Sequence, residues 1–334
     1  MDLLTQGIAG SLLAQLGAPE NSRRHATIAG FIAGVLPDAD ALIRSSTDPL
    51  LTLEFHRQFS HSLIFIPLGA AIAWLLLWPF MRHKVHPGWL YFFCVAGFAS
   101  AGLLDACTSY GTQLLWPFSD ERIAWNLVAI IDPVFTLVLV TMLLAGWRSR
   151  KSIYPAFALA FAVAYLLLAF SQHRAAEQIQ QEIAASRGHT IERSVVKPTL
   201  GNIILWRSIY QHKGDFYVDA LRPAIFSDTK IYPGKSIEKY RPDTRINELA
   251  GAMQQYADIL RFARLSDGYL VIHPKDEQVL GDVRYSMLPN SIMPLWGIRL
   301  NPDNYHQHAG EALFRDSSKN IRQQFIRMVR GQEL

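Results

Sequence analysis

Cysteine is nearly absent from this 334-residue sequence, which has only Cys94 and Cys107. Both lie in one apolar stretch, about 20 Å apart if that stretch is helical at roughly 1.5 Å per residue. They are too far apart to bridge, so cysteine supplies no disulfide framework and says nothing about redox compartment. The sequence has no His-Glu-x-x-His pair, the spacing that zinc proteases draw on, and this counts against an intramembrane protease. No internal repeat or low-complexity tract stands out. Concentrated charge is lacking too: the formal net charge is +4, from 32 Lys and Arg against 28 Asp and Glu. The positive residues form small clusters between apolar runs (Arg23 and Arg24; Arg82, His83 and Lys84; Arg148, Arg150 and Lys151). That is the loop asymmetry of a membrane protein and no nucleic-acid stripe, so nucleic acid is not an expected partner. The first residues lack a basic region and a clean cleavage site, so the first apolar segment is expected to remain in the mature protein.

Apolar length is present in abundance. Hydrophobic residues make up 50% of the chain, and their distribution is uneven. Residues 1–171 hold nearly all the long apolar runs, whereas 172–334 read as an ordinary soluble sequence. The expected organisation is therefore an α-helical membrane bundle over 1–171 followed by a soluble α+β domain over 172–334. Runs at 61–81 and 127–147 have the length and apolarity of membrane spans, and 89–107 and 153–171 approach it. Stretches 3–17 and 26–43 are shorter and rich in Gly and Ala, which suits close packing inside a bundle. The count is about six helices. The basic loops at 82–84 and 148–151 and the Arg23/Arg24 turn then belong to the cytoplasm. Loops 44–60 and 108–126 and the C-terminal part fall on the other side, the periplasm if the membrane is a bacterial inner membrane. In the C-terminal part, 172–187 reads as helical, strand-like runs occur at 191–197, 202–211, 215–226, 268–273, 279–288 and 295–300, and a helical pattern covers 244–265. Together these suggest an antiparallel sheet with helices.

Ionisable residues in or at the ends of membrane helices cost about 2.5 to 3.5 kcal/mol each on insertion scales, so they default to a functional reading. Asp38, Asp40, His56, His61, Asp105 and Asp132 all map to the same, outer face. Imidazole and carboxylate donors without thiolate make a borderline-hard metal site, suited to Zn first and also to Mn or Fe, as one ion or as a carboxylate-bridged pair. Each residue also has a plainer reading. The histidines can serve as interfacial hydrogen-bond donors, Asp38 and Asp40 as solvated helix ends, and Asp105 as a cap for the turn at Thr108. Asp132 can simply start the helix at Pro133. Arg57 suits either an anionic substrate oxygen or a headgroup, and Glu54 is either a general base or an exposed loop carboxylate. Asp215, Asp219, Asp282 and Arg284 are expected on a solvated strand face, and Trp116-Pro117-Phe118 with Trp125 in an aromatic belt.

The stretches MDLLTQGIAG, GVLPDAD, EFHRQFSHSL and GLLDACTSYGTQLLWPF resemble the YdjM-like family of predicted membrane-bound, metal-dependent hydrolases, over roughly residues 1–170. The resemblance implies a metal-dependent hydrolase, and a remote similarity to zinc phospholipase C and P1-type nucleases points to phosphoesters. It places Asp38, Asp40, His56, His61 and Asp105 on the family's motif positions. Many relatives carry a His where Gln6 follows Thr5 here, so this site has one fewer nitrogen ligand or uses Gln6 for the substrate. The expected function is hydrolysis of a phosphoester or other ester of a lipid-like substrate at the outer leaflet, with membrane lipids as surroundings. The rival readings are a membrane scaffold or envelope-stress protein with a structural metal, and an ion transporter. The apolar inner halves of the helices count against the transporter.

Overall fold

The computed structural model describes residues 1–224, 228–242 and 254–334. Two compact units emerge, one built from 1–43, 55–171 and 200–203, the other from 44–54, 172–199 and 204–334.

The first unit is helical. It contains α1 (Leu3–Gly17) and α2 (Arg23–Val35), and a 3-10 stretch over Leu36–Leu42 follows α2. After the segment 44–54, which belongs to the second unit and carries most of the short helix α3 (Leu51–Phe55), come α4 (Ile66–Met81), α5 (Pro87–Ala106), α6 (Pro133–Ser149) and α7 (Ile153–Ser186), whose residues beyond 171 belong to the second unit. Local chemistry sets several boundaries. His86 caps α5 by accepting from Gly88 N, with Pro87 at the first helical position. Asp132 caps α6 through Phe135 N, and Arg150 closes that helix in the left-handed region at φ +56°. The Asp132-Pro133 start explains why 127–132, expected to be helical, lie outside α6.

Among the described residues, three helices are long and apolar enough to cross a membrane, Leu63–Met81, Pro87–Ala106 and Ile153–Ser186. Of the six expected spans, α1, α2 and α6 have 15, 13 and 17 residues. At 1.5 Å per residue they reach only about 20 to 26 Å, against a hydrocarbon core of about 30 Å. The candidate span in α5 is 56% buried and those in α4 and α7 only 22% and 17%, so α5 is the interior member. Leu68, Leu75, Phe80, Leu137, Phe157 and Leu167 are exposed, as lipid-facing side chains are. Backbones touch where α1, α2 and α5 cross: a Cβ at Gly10 or Gly97 would stand 2.5 or 2.4 Å from the Gly30 carbonyl oxygen. Helix α7 continues without a break past residue 171.

Among the described residues, the second unit holds two four-stranded antiparallel sheets, each in sequential order. The first is β1 (Arg193–Pro198), β2 (Trp206–His212), β3 (Asp215–Arg222) and β4 (Lys230–Glu238). The second is β5 (Leu270–His273), β6 (Asp276–Asp282), β7 (Trp296–Arg299) and β8 (Gly310–Leu313), and the unit also has helices α8 (Gln254–Leu265) and α9 (Lys319–Val329). Lys213 and Gly214, both at positive φ, form the two-residue turn between β2 and β3. Most expected strands are present. Residues 225–226 of one run and 244–253 of the helical pattern lie outside the described residues. The run 279–288 ends as a strand at Asp282, where Arg284 folds back so that its backbone and guanidinium both donate to the Asp282 carboxylate. Asp219 and Asp282 do not sit on a solvated face: both are buried, paired with Arg187 and Arg284.

Lys197 on β1 lies opposite Arg207 on β2 and is buried. Its Nζ donates to Arg284 O at 3.4 Å and stands 3.2 Å from the Tyr285 ring centre. Burial, with help from Arg284 and Arg207, pushes this ammonium well below the usual lysine range. A depressed folded-state value means that the folded chain binds fewer protons than the unfolded chain between that value and the ordinary lysine value of about 10.4. Stability therefore rises with pH through that window. Lys197→Met should raise the stability of this unit by about 1 kcal/mol at neutral pH and remove that part of the slope. Denaturant titrations of the full-length protein in detergent, followed by tryptophan fluorescence at several pH values, will check both effects.

Candidate metal centre

Three segments of the helical unit converge. Pro37 opens the 3-10 stretch after α2, which carries Asp38 and Asp40. The turn into α4 carries His56 to His61, with Arg57 in the left-handed region at φ +62° and a 3-10 turn over Phe59–His61. The end of α5 carries Asp105, whose carbonyl accepts from Thr108 N and Oγ1. Gly102 lets α5 approach this turn, since a Cβ there would stand 2.5 Å from the His61 carbonyl oxygen.

His61 sits at the junction. Its Nε2 is 3.3 Å from Asp38 Oδ1 and 3.2 Å from Asp105 Oδ2, and its Nδ1 is 3.0 Å from Ser60 Oγ and 3.3 Å from Asp40 Oδ2. Ser60 donates to Asp40 Oδ2 at 2.5 Å, so its oxygen is free to accept from His61 Nδ1. This network selects the Nδ1-protonated tautomer and leaves the Nε2 lone pair facing the two carboxylates. Asp40 is heavily engaged. Oδ1 lies 2.7 Å from His56 Nδ1, and Oδ2 also accepts from Arg57 N at 2.9 Å.

Asp105 is equally surrounded. Gln6 Nε2 donates to its Oδ1 at 2.9 Å, the Met1 nitrogen contacts the same oxygen, and Arg57 Nε lies 2.9 Å from Oδ2. Arg57 is buried; its Nη1 donates to Thr108 Oγ1 at 3.0 Å and its guanidinium lies 5.1 Å from the Tyr110 ring centre. Arg122 covers the same ring at 5.8 Å and donates to His56 O.

Three buried atoms, Asp38 Oδ1, His61 Nε2 and Asp105 Oδ2, make no hydrogen bond of good geometry among the described residues, although Asp105 Oδ2 is ion-paired with Arg57 Nε at 2.9 Å. Buried polar atoms are normally satisfied, so three converging orphans point to a missing partner. Donors bound to one ion at about 2.0 to 2.2 Å stand roughly 3 to 3.5 Å apart; His61 Nε2 stands 3.3 and 3.2 Å from the two carboxylate oxygens, and all three atoms lie within 4.8 Å of one another. The residues therefore fit a divalent metal. Of the three such donor groups among the described residues, two lie here and share Asp38: Asp38 with His61 and Asp105, and Asp38 with Asp40 and His56.

The structure thus brings together Asp38, Asp40, His56, Arg57, His61 and Asp105. Asp132 is not in either donor group: it is buried, caps α6 and accepts from Tyr165 Oη at 2.7 Å. Glu54 belongs to the second unit, where its carboxylate accepts from Arg261 Nε and Nη2 at 2.8 and 2.7 Å. The sequence reading singled out neither Ser60 nor Thr108 for the site. A hydroxyl next to a candidate ligand histidine was the available signal for Ser60.

A model of the YdjM inner membrane protein family matches residues 1–176. Over 106 residues the chain is 32% identical to inner membrane protein YbcI of Escherichia coli (strain K12), a match that covers 30% of this chain and 60% of that relative, less than two thirds of its length. No solved structure matches the chain.

Proposed function

Because the chain belongs to the YdjM inner membrane protein family, we propose that it is a multi-pass hydrolase of the inner membrane whose metal centre is held by Asp38, His61 and Asp105. The observation that carries this reading is the convergence of their three orphaned atoms. When bound, a divalent ion, Zn first and Mn or Fe in its place, would supply a Lewis acid and a water of pKa about 7. Three protein donors leave a position open, as catalytic sites do and closed structural sites do not.

The residues around the ligands divide the remaining work. Asp40 and Ser60 orient His61 and fix its tautomer, Asp40 also holds His56, and Gln6 and Arg57 restrain Asp105. His56, with Asp38 and Asp40, offers a second donor group for a second ion. Six membrane passages would place the basic loops after α4 and α6 in the cytoplasm, and the metal centre and second unit on the periplasmic side. In support, Asp105, His61 and Asp132 all lie at the helix ends opposite those loops. A centre at headgroup depth favours an amphiphilic phosphoester or ester.

Elemental analysis of the detergent-purified protein tests the reading. Wild type should carry about one or two transition-metal ions and a His56→Ala, His61→Ala double variant none. If both stay metal-free after reconstitution with Zn and Mn, the hydrolase reading fails and a scaffold role replaces it.

A further inference from the structure

Charge is segregated along the helices of the first unit. Glu20 is the one acidic residue in 3–37, 62–104 and 133–171, while basic residues fill the turns before α2, after α4 and after α6. The fold brings these three turns together. Arg23 Nη1 donates to the Arg150 carbonyl and the Arg24 guanidinium lies 5.8 Å from the Trp147 ring centre, so the start of α2 meets the end of α6. Ala26, Met81 and Val85 share one buried cluster, and Lys84 is near enough to His25 for its charge to act on the imidazole. Among the described residues, no carboxylate is ion-paired with Arg23, Arg24, Lys84 or Arg150. Gathered like charges repel one another unless an anion joins them. The adjoining helix sides are apolar and open: Phe80 and Leu144 near the ends of α4 and α6, and Trp89 and Ile153 in the first turns of α5 and α7, are all exposed. A soluble anion would use the cations alone, whereas an anionic amphiphile would use both surfaces.

We propose that the turns before α2, after α4 and after α6 form a binding site for an anionic phospholipid. The headgroup phosphate lies among Arg23, Arg24, Lys84 and Arg150, where a guanidinium can take two of its oxygens at once. The acyl chains run along the adjoining apolar helix sides. Bound lipid thus supplies the negative charge that the chain itself withholds from this end. The site lies at the helix ends opposite the candidate metal centre and needs no metal.

Native mass spectrometry of the full-length protein in neutral detergent, with equal amounts of dioleoyl-phosphatidylglycerol and dioleoyl-phosphatidylcholine, tests this. Wild type should hold the anionic lipid at least about tenfold more tightly, since each cation beside an anionic lipid surface is worth roughly fivefold. The Arg24→Gln, Lys84→Gln, Arg150→Gln variant changes exposed side chains only and should lose most of that preference. Two controls should keep it: Arg24→Lys, Arg150→Lys, which retains the charge, and Lys319→Gln, Arg322→Gln, Arg327→Gln, which removes three exposed cations of α9. Excess inorganic phosphate should not displace the lipid. Equal binding of the two lipids by wild type, an undiminished preference in the first variant, or a matching loss in either control overturns the proposal. Displacement by inorganic phosphate overturns the lipid assignment in favour of a free phosphate site.

Discussion

Asp105→Ala is expected to leave the protein without metal and to lower the stability of the helical unit by about 3 to 5 kcal/mol. Both effects come from one carboxylate. Oδ2 is one of the three atoms without a well-formed hydrogen bond that face one another, so its loss removes a proposed ligand. Oδ1 accepts from Gln6, and Arg57 lies 2.9 Å from Oδ2, so truncation takes the carboxylate away from a buried guanidinium and a buried amide together. Water cannot make up the loss, because Asp105 and its neighbours are closed to solvent. Asp105→Asn keeps the shape while losing the charge, and its single acceptor oxygen can face Arg57 Nε or Gln6 Nε2 but not both. It should restore part of the stability and little of the metal. Metal content and thermal denaturation in detergent, measured on the same preparations, separate the two effects. Wild-type zinc content in Asp105→Ala would remove this residue from the site.

Asp40→Asn should weaken zinc binding by about 10- to 100-fold with the three ligand residues untouched. The aspartate accepts from His56, Arg57 N and Ser60 and faces His61 Nδ1, and all of these contacts call for an acceptor. An asparagine has one acceptor oxygen and an NH2 that would point at groups already donating. The cheapest relief is for His61 to change tautomer, which places a proton on the nitrogen facing Asp38 and Asp105. Chelator competition should rank wild type above Asp40→Asn, and Asp40→Asn above Asp38→Asn, where a ligand itself is lost. Equal affinity for wild type and Asp40→Asn would mean that the hydrogen bonds to Asp40 do not govern the metal.

The membrane character of the first unit and the cluster of Asp38, Asp40, His56, His61 and Asp105 were legible because ionisable groups beside long apolar runs are costly and therefore conspicuous. Their division of labour was not. Asp38 and Asp40 are two residues apart and chemically alike, and only the tertiary hydrogen bonds of His56, Ser60 and Arg57 N to Asp40 separate the proposed ligand from the proposed orienting group. Glu54 read as a candidate base because the cation that neutralises it is 207 residues away. Helix ends were less legible than helix existence: Asp132 with Pro133 starts α6 six residues into a run whose hydropathy is continuous. In the second unit β4 went unread because Pro233 and Gly234 break its pattern, and β8 is too short to show alternation. The burial of Asp219 and Asp282 depends on Arg187 and on the fold-back of Arg284, and strand alternation alone sends them outward.

The backbone contact at Gly10, Gly30 and Gly97 also limits how the sequence can drift over generations. Each added methyl would strike or crowd main chain at another of the three positions, so no rotamer change elsewhere can absorb it. Compensation would require two helices to separate, which no single further substitution accomplishes. In a saturation library selected for folded protein, these three sites should tolerate almost nothing, while lipid-facing Leu68, Leu75 and Leu137 accept most apolar residues. The heritable freedom of this bundle therefore lies on its outer surface.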